Sequence, residues 1–282
     1  MRILVTGGNG FIGFNLIKKL VSEGHDVTSL DNLSTGNKLH VVKGCRYVYG
    51  NVENIQSLNN ADYNLCYHLA ALSRIQPSFQ EPFNTFIANT KGTQCVLEWA
   101  RRKNTKVIYA GSSSRHHNPY LSPYACYKYM GEEICKMYKQ VYKQDIEIVR
   151  FYNVYGPGEV VDGDWAAVIG VWRRQVRDKK PITIVGTGEQ KRDFTYIDDI
   201  VDGIIRIGIL DIKHEDAWEL GTGISYAIKD VANMFVERFN CKIKFINDQK
   251  GNYKGTLRIN DDSLKLLNWS PQDRLKDYIL SL

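Results

Sequence analysis

The chain has no CxxC pair and no cysteine or histidine spacing suited to a metal; its six cysteines (45, 66, 95, 126, 135 and 241) are scattered through 282 residues. A disulfide framework is thereby excluded, and reduced, mostly buried thiols in a cytoplasmic protein are expected, with no metal site. No apolar run approaches the roughly 20 residues that a membrane-spanning helix needs. Lys and Arg outnumber Asp and Glu by 37 to 31, but no basic run concentrates the net charge of +6. The excess suits anionic small molecules and does not imply nucleic acid. Internal repeats and low-complexity tracts are also missing. The opening Met1-Arg-Ile-Leu-Val-Thr-Gly reads as a strand running straight into a glycine turn, which leaves no room for a signal peptide. What is present, 43% hydrophobic and 24% charged residues, is the composition of an ordinary globular protein long enough for a sizeable core.

Short β-branched runs alternate with longer segments of helical period. The runs are Arg2–Thr6, Asp26–Leu30, Arg46–Tyr49, Asn64–His68, Lys106–Ala110 and Ile146–Phe151. This rhythm predicts an α/β fold, a doubly wound parallel sheet with helices on both faces. Beyond Asn153 the pattern changes: Gly156-Pro-Gly158 breaks it, a helix is predicted over Trp165–Arg177, a strand over Pro181–Val185, and Gly186-Thr-Gly188 turns the chain again. Phe194–Ile209 reads as a strand end and a helix returning to the first unit. The expected division is a Rossmann domain over residues 1–155 and 193–222 and a smaller C-terminal lobe over 156–192 and 223–282. A ligand cleft is expected between them, at the carboxyl ends of the strands.

Gly7-Gly8-Asn9-Gly10-Phe11-Ile12-Gly13 follows the first strand and opens the first helix. Glycines at 7, 10 and 13 let the backbone approach a pyrophosphate on the helix N-terminus, where free N–H groups and the dipole favour anions. Asp31, at the end of the second strand, is where a carboxylate accepts the hydroxyls of an adenosine ribose and repels a 2′-phosphate, which favours NAD over NADP. Asn32 follows it. Asn51-Val52, after the third strand, would sit beside adenine, and Leu69-Ala70-Ala71, after the fourth, would line the dinucleotide; either stretch could equally be plain loop. Asn89 is a candidate polar anchor near the fourth strand.

Tyr124 and Lys128, in Ser122-Pro-Tyr-Ala-Cys-Tyr-Lys128, are spaced to share one face of a helix. An ammonium held beside a phenol lowers its pKa from about 10, so that the phenolate can take a proton from an alcohol.

Taken together, the glycine triplet at 7–13, Asp31-Asn-Leu-Ser, His68-Leu-Ala-Ala71, Ser112-Ser-Ser114, Tyr124-x-x-x-Lys128, Arg150-Phe-Tyr-Asn-Val-Tyr-Gly-Pro157 and Gly188-Glu-Gln-Lys-Arg-Asp-Phe-Thr-Tyr-Ile-Asp-Asp199 form an ordered set. In them the chain resembles the extended short-chain dehydrogenase/reductases, specifically the nucleotide-sugar epimerase/dehydratase branch. The resemblance covers most of the chain. It implies an NAD-bound Rossmann domain, a lobe gripping a UDP-type sugar, and catalysis by a Ser/Thr, Tyr, Lys set. By position, Tyr124 is the acid/base on the sugar 4-hydroxyl, and Lys128 binds the nicotinamide ribose. Ser112 matches the serine that hydrogen-bonds the reacting oxygen, with Ser113 its competitor among three consecutive serines. Tyr152 falls where relatives pack an aromatic on the nicotinamide side and Asn153 where they contact a substrate phosphate. Arg192 matches the arginine that pairs with the diphosphate, and Arg258 a residue near the uridine end. Ala167 and Val168 lie in Asp162-Gly-Asp-Trp-Ala-Ala-Val-Ile169, which resembles the stretch whose backbone holds uridine diphosphate.

Dehydratases of this family place Asp and Glu directly after the catalytic residue, and decarboxylating relatives usually carry a glutamate there. Here Ser113, Ser114 and Arg115 follow Ser112, so the expectation is an NAD-dependent UDP-hexose 4-epimerase working through a transient 4-keto sugar. A dehydratase, decarboxylase or 4-keto reductase, or a silent NAD(H)-sensing protein, is the alternative. The loop from Ser114 to Tyr124 is shorter than in relatives. It is expected to open the cleft above the sugar, with Arg115, His116 or His117 either touching the hexose or forming a solvated turn. A homodimer through a four-helix bundle is expected from the helices around Thr85–Trp99 and Pro123–Tyr142. The stripe Met130, Ile134, Met137, Tyr138, Val141 fits a dimer seam or plain core.

Overall fold

The computed structural model describes residues 1–282. The elements run β1 (Arg2–Thr6), α1 (Phe11–Ser22), β2 (Asp26–Asp31), β3 (Cys45–Tyr49), β4 (Leu65–His68), α2 (Ile75–Gln80), α3 (Pro82–Phe86), α4 (Gly92–Lys103), β5 (Lys106–Ala110), α5 (Pro123–Tyr142) and β6 (Ile146–Phe151). Then follow β7 (Val154–Tyr155), α6 (Val168–Arg177), β8 (Ile182–Val185), β9 (Lys191–Asp193), β10 (Thr195–Tyr196), α7 (Ile197–Ile209) and β11 (Trp218–Leu220). The chain closes with β12 (Ser225–Ala227), α8 (Ile228–Phe239), β13 (Ile243–Ile246), β14 (Gly255–Thr256), α9 (Asp262–Leu266) and α10 (Leu275–Ser281).

The main sheet has seven strands in the order β11-β6-β5-β4-β1-β2-β3, every pair parallel. A parallel sheet is buried on both faces, so alternate residues of one strand serve two cores. Ile3 and Val5 of β1 pack with Leu16, Ile17 and Leu20 of α1 and with Ile200 and Ile204 of α7. Leu4, between them, joins Val96, Leu97 and Trp99 of α4 and Cys135 and Tyr138 of α5 on the other face. A third core gathers Trp172 of α6, Ile182 and Ile184 of β8, Val231 and Phe235 of α8 and Leu275 and Ile279 of α10.

The six runs read from sequence coincide with β1 to β6 to within a residue at either end. The seventh strand, β11, was not visible as a run because it is only Trp-Glu-Leu, and it pairs with β6 through three residues. The predicted helix at Trp165 starts later, at Val168, because Trp165 lies in a turn and Ala167, in an extended conformation, caps the helix. Leu267 and Trp269, far along the chain, pack into the α1/α7 core rather than with the third. No helix is long and apolar enough to cross a membrane.

Candidate active site

At the carboxyl ends of the strands lies a cleft of ≈ 940 Å³ that reaches the glycine turn at one end and α5 and α6 at the other. That volume lies within the range of pockets that enclose a small molecule.

The glycine end is shaped by steric necessity. Gly7 has φ +73°, and a Cβ on it would lie 2.7 Å from the Ala70 nitrogen; a Cβ on Gly13 would lie 2.2 Å from the Gly7 carbonyl oxygen. The backbones of the first turn and of the β4 exit loop therefore touch where any other residue would hold them apart. The first turn of α1 has no acidic residue and no side-chain cap, so its N–H groups point at the cleft unpaired. Gly10, Phe11, Ile12, Leu69 and Ala71 line the same wall, as do Asn51 and Val52 beyond β3. Asp31 is buried, its carboxylate accepting the Asn9 and Leu33 backbone N–H groups at 2.9 and 2.7 Å, and it still lines the cleft. Asn32 donates to Asn51 Oδ1 at 2.8 Å, so the residues following two neighbouring strands hold each other.

Asn89 departs from the expectation. It is buried, its Nδ2 donates to the Leu72 carbonyl at 2.9 Å and its Oδ1 accepts the Leu72 N–H at 2.8 Å. With both ends of the amide bound, it fixes the loop leaving β4 and does not face the cleft.

At the other end, Ser122 caps α5 by accepting the Ala125 N–H at 3.1 Å, and Pro123 occupies the first turn, where its missing donor costs nothing. This start sets Tyr124 and Lys128 on the inner face. The Tyr124 hydroxyl donates to Ser112 Oγ at 3.2 Å. The Ser114 N–H and hydroxyl reach the same oxygen at 3.1 and 2.9 Å, which fixes Ser112 in place. Of the two serines left open, both line the cleft, and it is Ser112 that the phenol meets. Lys128 is buried and donates from Nζ to the Ala110 carbonyl at 2.7 Å.

The electrostatics differ from the sequence expectation. Burial pushes the Tyr124 phenol up from its ordinary value, opposed by the Ser112 hydrogen bond and by the positive charge of Arg74. Burial lowers Lys128 to about 8, with Glu132 opposing. Arg74 thus supplies a positive charge that opposes the effect of burial on the phenol, while the Lys128 ammonium is turned to the Ala110 carbonyl.

Arg74 was missed because nothing in its spacing distinguishes it; the one signal available was that it follows His68-Leu-Ala-Ala71 so closely. It caps α2, donates from Nε to the Trp165 carbonyl at 2.9 Å and from Nη1 to the Ser73 carbonyl at 3.0 Å, and lines the cleft. A Ser78 Oγ bond from the Tyr124 N–H, 3.1 Å, joins α2 to α5 and so couples the two positions. Glu159 was also missed. It is buried, lines the cleft, and holds Arg173 and Tyr278 through Oε1 at 3.0 Å each, while Oε2 has no partner. Burial raises its carboxyl.

Of the substrate-side residues, Ala167, Val168, Asn153 and Arg192 line the cleft. Asn153 is held by the Asp193 carbonyl at 2.8 Å, and Arg192 donates to Asn252 Oδ1 at 2.8 Å. Arg258 and, from the cofactor side, Tyr152 do not reach the cleft. Tyr152 is fully buried and donates to Glu219 Oε2 at 2.7 Å, because side chains alternate at the end of a strand: Phe151 faces the cleft and its neighbour points away. Arg258 is spent on the Gly221 carbonyl, 3.0 Å, and on Asp261, 2.7 Å, bracing the loop after β11.

The shortened loop is in large part a solvated turn, with His116, Asn118, Tyr120 and Leu121 exposed, and neither Arg115 nor its two histidines line the cleft. Arg115 turns outward, pairing with Glu133 at 2.7 Å and stacking on Tyr129 at 3.8 Å, and His116 meets Glu219 at 2.9 Å. His117 stacks on Tyr253 at 4.1 Å, which places that aromatic ring over the loop side of the cleft. The α5 stripe is divided: Tyr138 and Ile134 pack into the core, whereas Met130, Met137 and Val141 are exposed.

A parallel sheet of this order, a glycine turn beside the Asp31 carboxylate, and a Tyr-Lys helix beside a serine are the features of an NAD-dependent enzyme of the short-chain dehydrogenase/reductase type. Residues 3–221 match the NAD dependent epimerase/dehydratase family, and the chain belongs to it. It is 32% identical to a putative UDP-glucose 4-epimerase of Methanocaldococcus jannaschii, over 98% of this chain and 95% of that protein. It is 30% identical to the UDP-glucuronate 4-epimerase of Thermodesulfobacterium geofontis, over 97% and 92%. Among solved structures it superimposes on Pal from Bacillus thuringiensis with a TM-score of 0.93 at 27% identity, covering 99% and 97% of the two chains. The UDP-glucuronic acid 4-epimerase of Bacillus cereus, solved with UDP-glucuronic acid and NAD, gives 0.87 at 27% identity, covering 99% and 96%.

Proposed function

We propose that this protein is an NAD-dependent UDP-hexose 4-epimerase acting through a transient 4-keto sugar. The glycine turn, which no Cβ would fit, and the Asp31 carboxylate suit NAD; Gly7, Gly10, Gly13, Asp31 and Lys128 would hold it. When bound, NAD supplies the hydride acceptor and donor. The observation that carries the reading is the Tyr124–Ser112 contact, 3.2 Å, on a turn that continues Ser113, Ser114, Arg115 with no carboxylate. Tyr124 takes the proton from the sugar 4-hydroxyl and later returns it, Ser112 orients that oxygen, and Arg74 stabilises the phenolate. Elimination of water across C5 and C6 would need a further acid and base on that turn. Arg192, Asn153 and the Ala167-Val168 backbone would anchor the uridine diphosphate, so the sugar can turn about its pyrophosphate and present its other face.

Incubation with UDP-glucose, UDP-N-acetylglucosamine and UDP-glucuronic acid, followed by NMR of the products, tests this. Inversion at C4 with no net NAD consumption is expected; loss of water, loss of carbon dioxide or stoichiometric NADH would reject it. A uronate as the natural substrate is the second reading, favoured by the guanidinium of Arg74, which lines the cleft. We further infer a cytoplasmic homodimer formed by α4 and α5, whose exposed Met130, Met137 and Val141 would supply the seam. Light scattering at micromolar concentration would return twice the chain's 32.3 kDa if this is right.

A further inference from the structure

Residues 249–254, between β13 and β14, form a strap that lies against α2 and lines the cleft through Gln249, Asn252 and Tyr253. At one side, Gln76 Nε2 donates to the Lys250 carbonyl at 2.8 Å and Lys250 lies 5.7 Å above the Phe79 ring. Gly251 sits at φ +77°, where a Cβ would come within 3.0 Å of Ile75 and 3.2 Å of the Leu121 carbonyl, so the strap lies directly on α2 and the shortened loop. At the other side, Asn252 accepts from Arg192, and the Lys191 N–H donates to the Lys254 carbonyl at 3.0 Å.

Tyr253 is the residue this strap delivers. Only 8% of it is exposed, it lines the cleft, and its ring is stacked on His117 with the planes 10° apart. Its hydroxyl has Tyr124, Ser114 and Ser122 as polar neighbours, yet none meets it in hydrogen-bond geometry, and the oxygen is buried and unpaired. An unsatisfied buried hydroxyl is costly, and the usual resolution is a partner that the cleft itself admits. Arg74, Tyr124 and Arg192 are committed to the phenol chemistry or to the anion; Tyr253 has no such task.

Resting on the proposed nucleotide-sugar reading, we infer that Tyr253 determines hexose specificity: its hydroxyl, roofing the Tyr124 end, hydrogen-bonds a ring hydroxyl of the sugar. His117, on the short loop, fixes the angle of that ring. The short loop and the strap are thus one device, in which the loop leaves room above the sugar and the strap fills it with an aromatic bearing one polar atom.

Tyr253→Phe keeps the stack on His117 and removes only the hydroxyl. Calorimetric titration of the NAD-loaded protein with UDP and with UDP-glucose, UDP-N-acetylglucosamine and UDP-glucuronic acid separates the possibilities. The variant should bind UDP as the wild type does and bind the sugar nucleotide that the wild type converts about tenfold more weakly, the scale of one hydrogen bond to a buried group. Unchanged affinity for that sugar nucleotide, or an equal loss for UDP, would overturn the assignment while leaving the proposed function standing. Wild-type protein that bound no UDP ligand would overturn both.

Discussion

At the dinucleotide end of the cleft, Gly7, Gly10 and Gly13 span the turn from β1 into α1, and the packing partner of that turn, Leu69-Ala70, directly follows β4, the neighbouring strand of the sheet. At the sugar end, Ser112, Tyr124, Arg74, Arg192 and Tyr253 arrive from five separate stretches of chain. The first end is a local conformation that one sequence motif specifies. The second is an assembly whose members meet only because α2, α5 and the 249–254 strap pack together, and its electrostatics follow from burial more than from spacing. A site of the first kind should fail by steric obstruction, and one of the second by loss of single groups.

The largest effect is expected from Tyr124→Phe, which should lower kcat/KM by about 10³-fold while fluorescence titration still shows NAD bound. Activity near wild type would remove the catalytic assignment and, with it, the contrast between the two ends. Gly13→Val should act in the opposite manner. A side chain there meets the Gly7 carbonyl at 2.2 Å, so NAD affinity should fall by at least ~100-fold with the nucleotide-sugar site intact. Retained NAD binding would show that the turn is more pliant than its geometry implies.

Arg74→Gln addresses the charge at the sugar end. Without the cation the phenol is left with the burial that raises it, so the acid limb of the kcat/KM profile should move to higher pH. A loss of roughly tenfold at pH 7, recovered in alkali, is expected. A pH-independent loss would mean that Arg74 only holds the Trp165 backbone.

The smallest effect concerns the framework below both ends. His68 in β4 is buried between Thr6 and Thr93, at 2.8 and 3.2 Å, and burial lowers it to about 3. Its folded value lies below the ordinary 6.5, so the unfolded chain binds the extra proton first. Its contribution is complete above pH 6.5 and declines as pH falls from there toward 3. The slope should be about 1.4 kcal/mol per pH unit. His68→Gln should make the acid arm of denaturant stability shallower by that amount; an unchanged slope would mean that other groups govern acid unfolding.

How much was legible follows the same division. Arg2–Thr6, Lys106–Ala110 and Ile146–Phe151 are strands at the residues their β-branched runs marked, since a strand buried on both faces must be apolar throughout. The Tyr124/Lys128 spacing was readable because a helix fixes which residues share a face. It did not reveal that the Lys128 ammonium would turn to the Ala110 carbonyl, because that depends on where β5 ends relative to α5. Tyr152 and Arg258 carried the right residue types but lost their expected places to Glu219 and Gly221, which lie far from them in sequence, and in the case of Arg258 also to its near neighbour Asp261.

By itself, the sequence determined the parallel sheet, the glycine turn, the carboxylate at Asp31 and the Tyr-Lys helix, each set by short-range periodicity or by backbone sterics within a few residues. Tertiary structure alone decided which serine meets the phenol, that the Lys128 ammonium turns to the Ala110 carbonyl and that Tyr253 stacks on His117 at the cleft. Those outcomes depend on distances and dielectric between segments remote in the chain, and no local pattern encodes them.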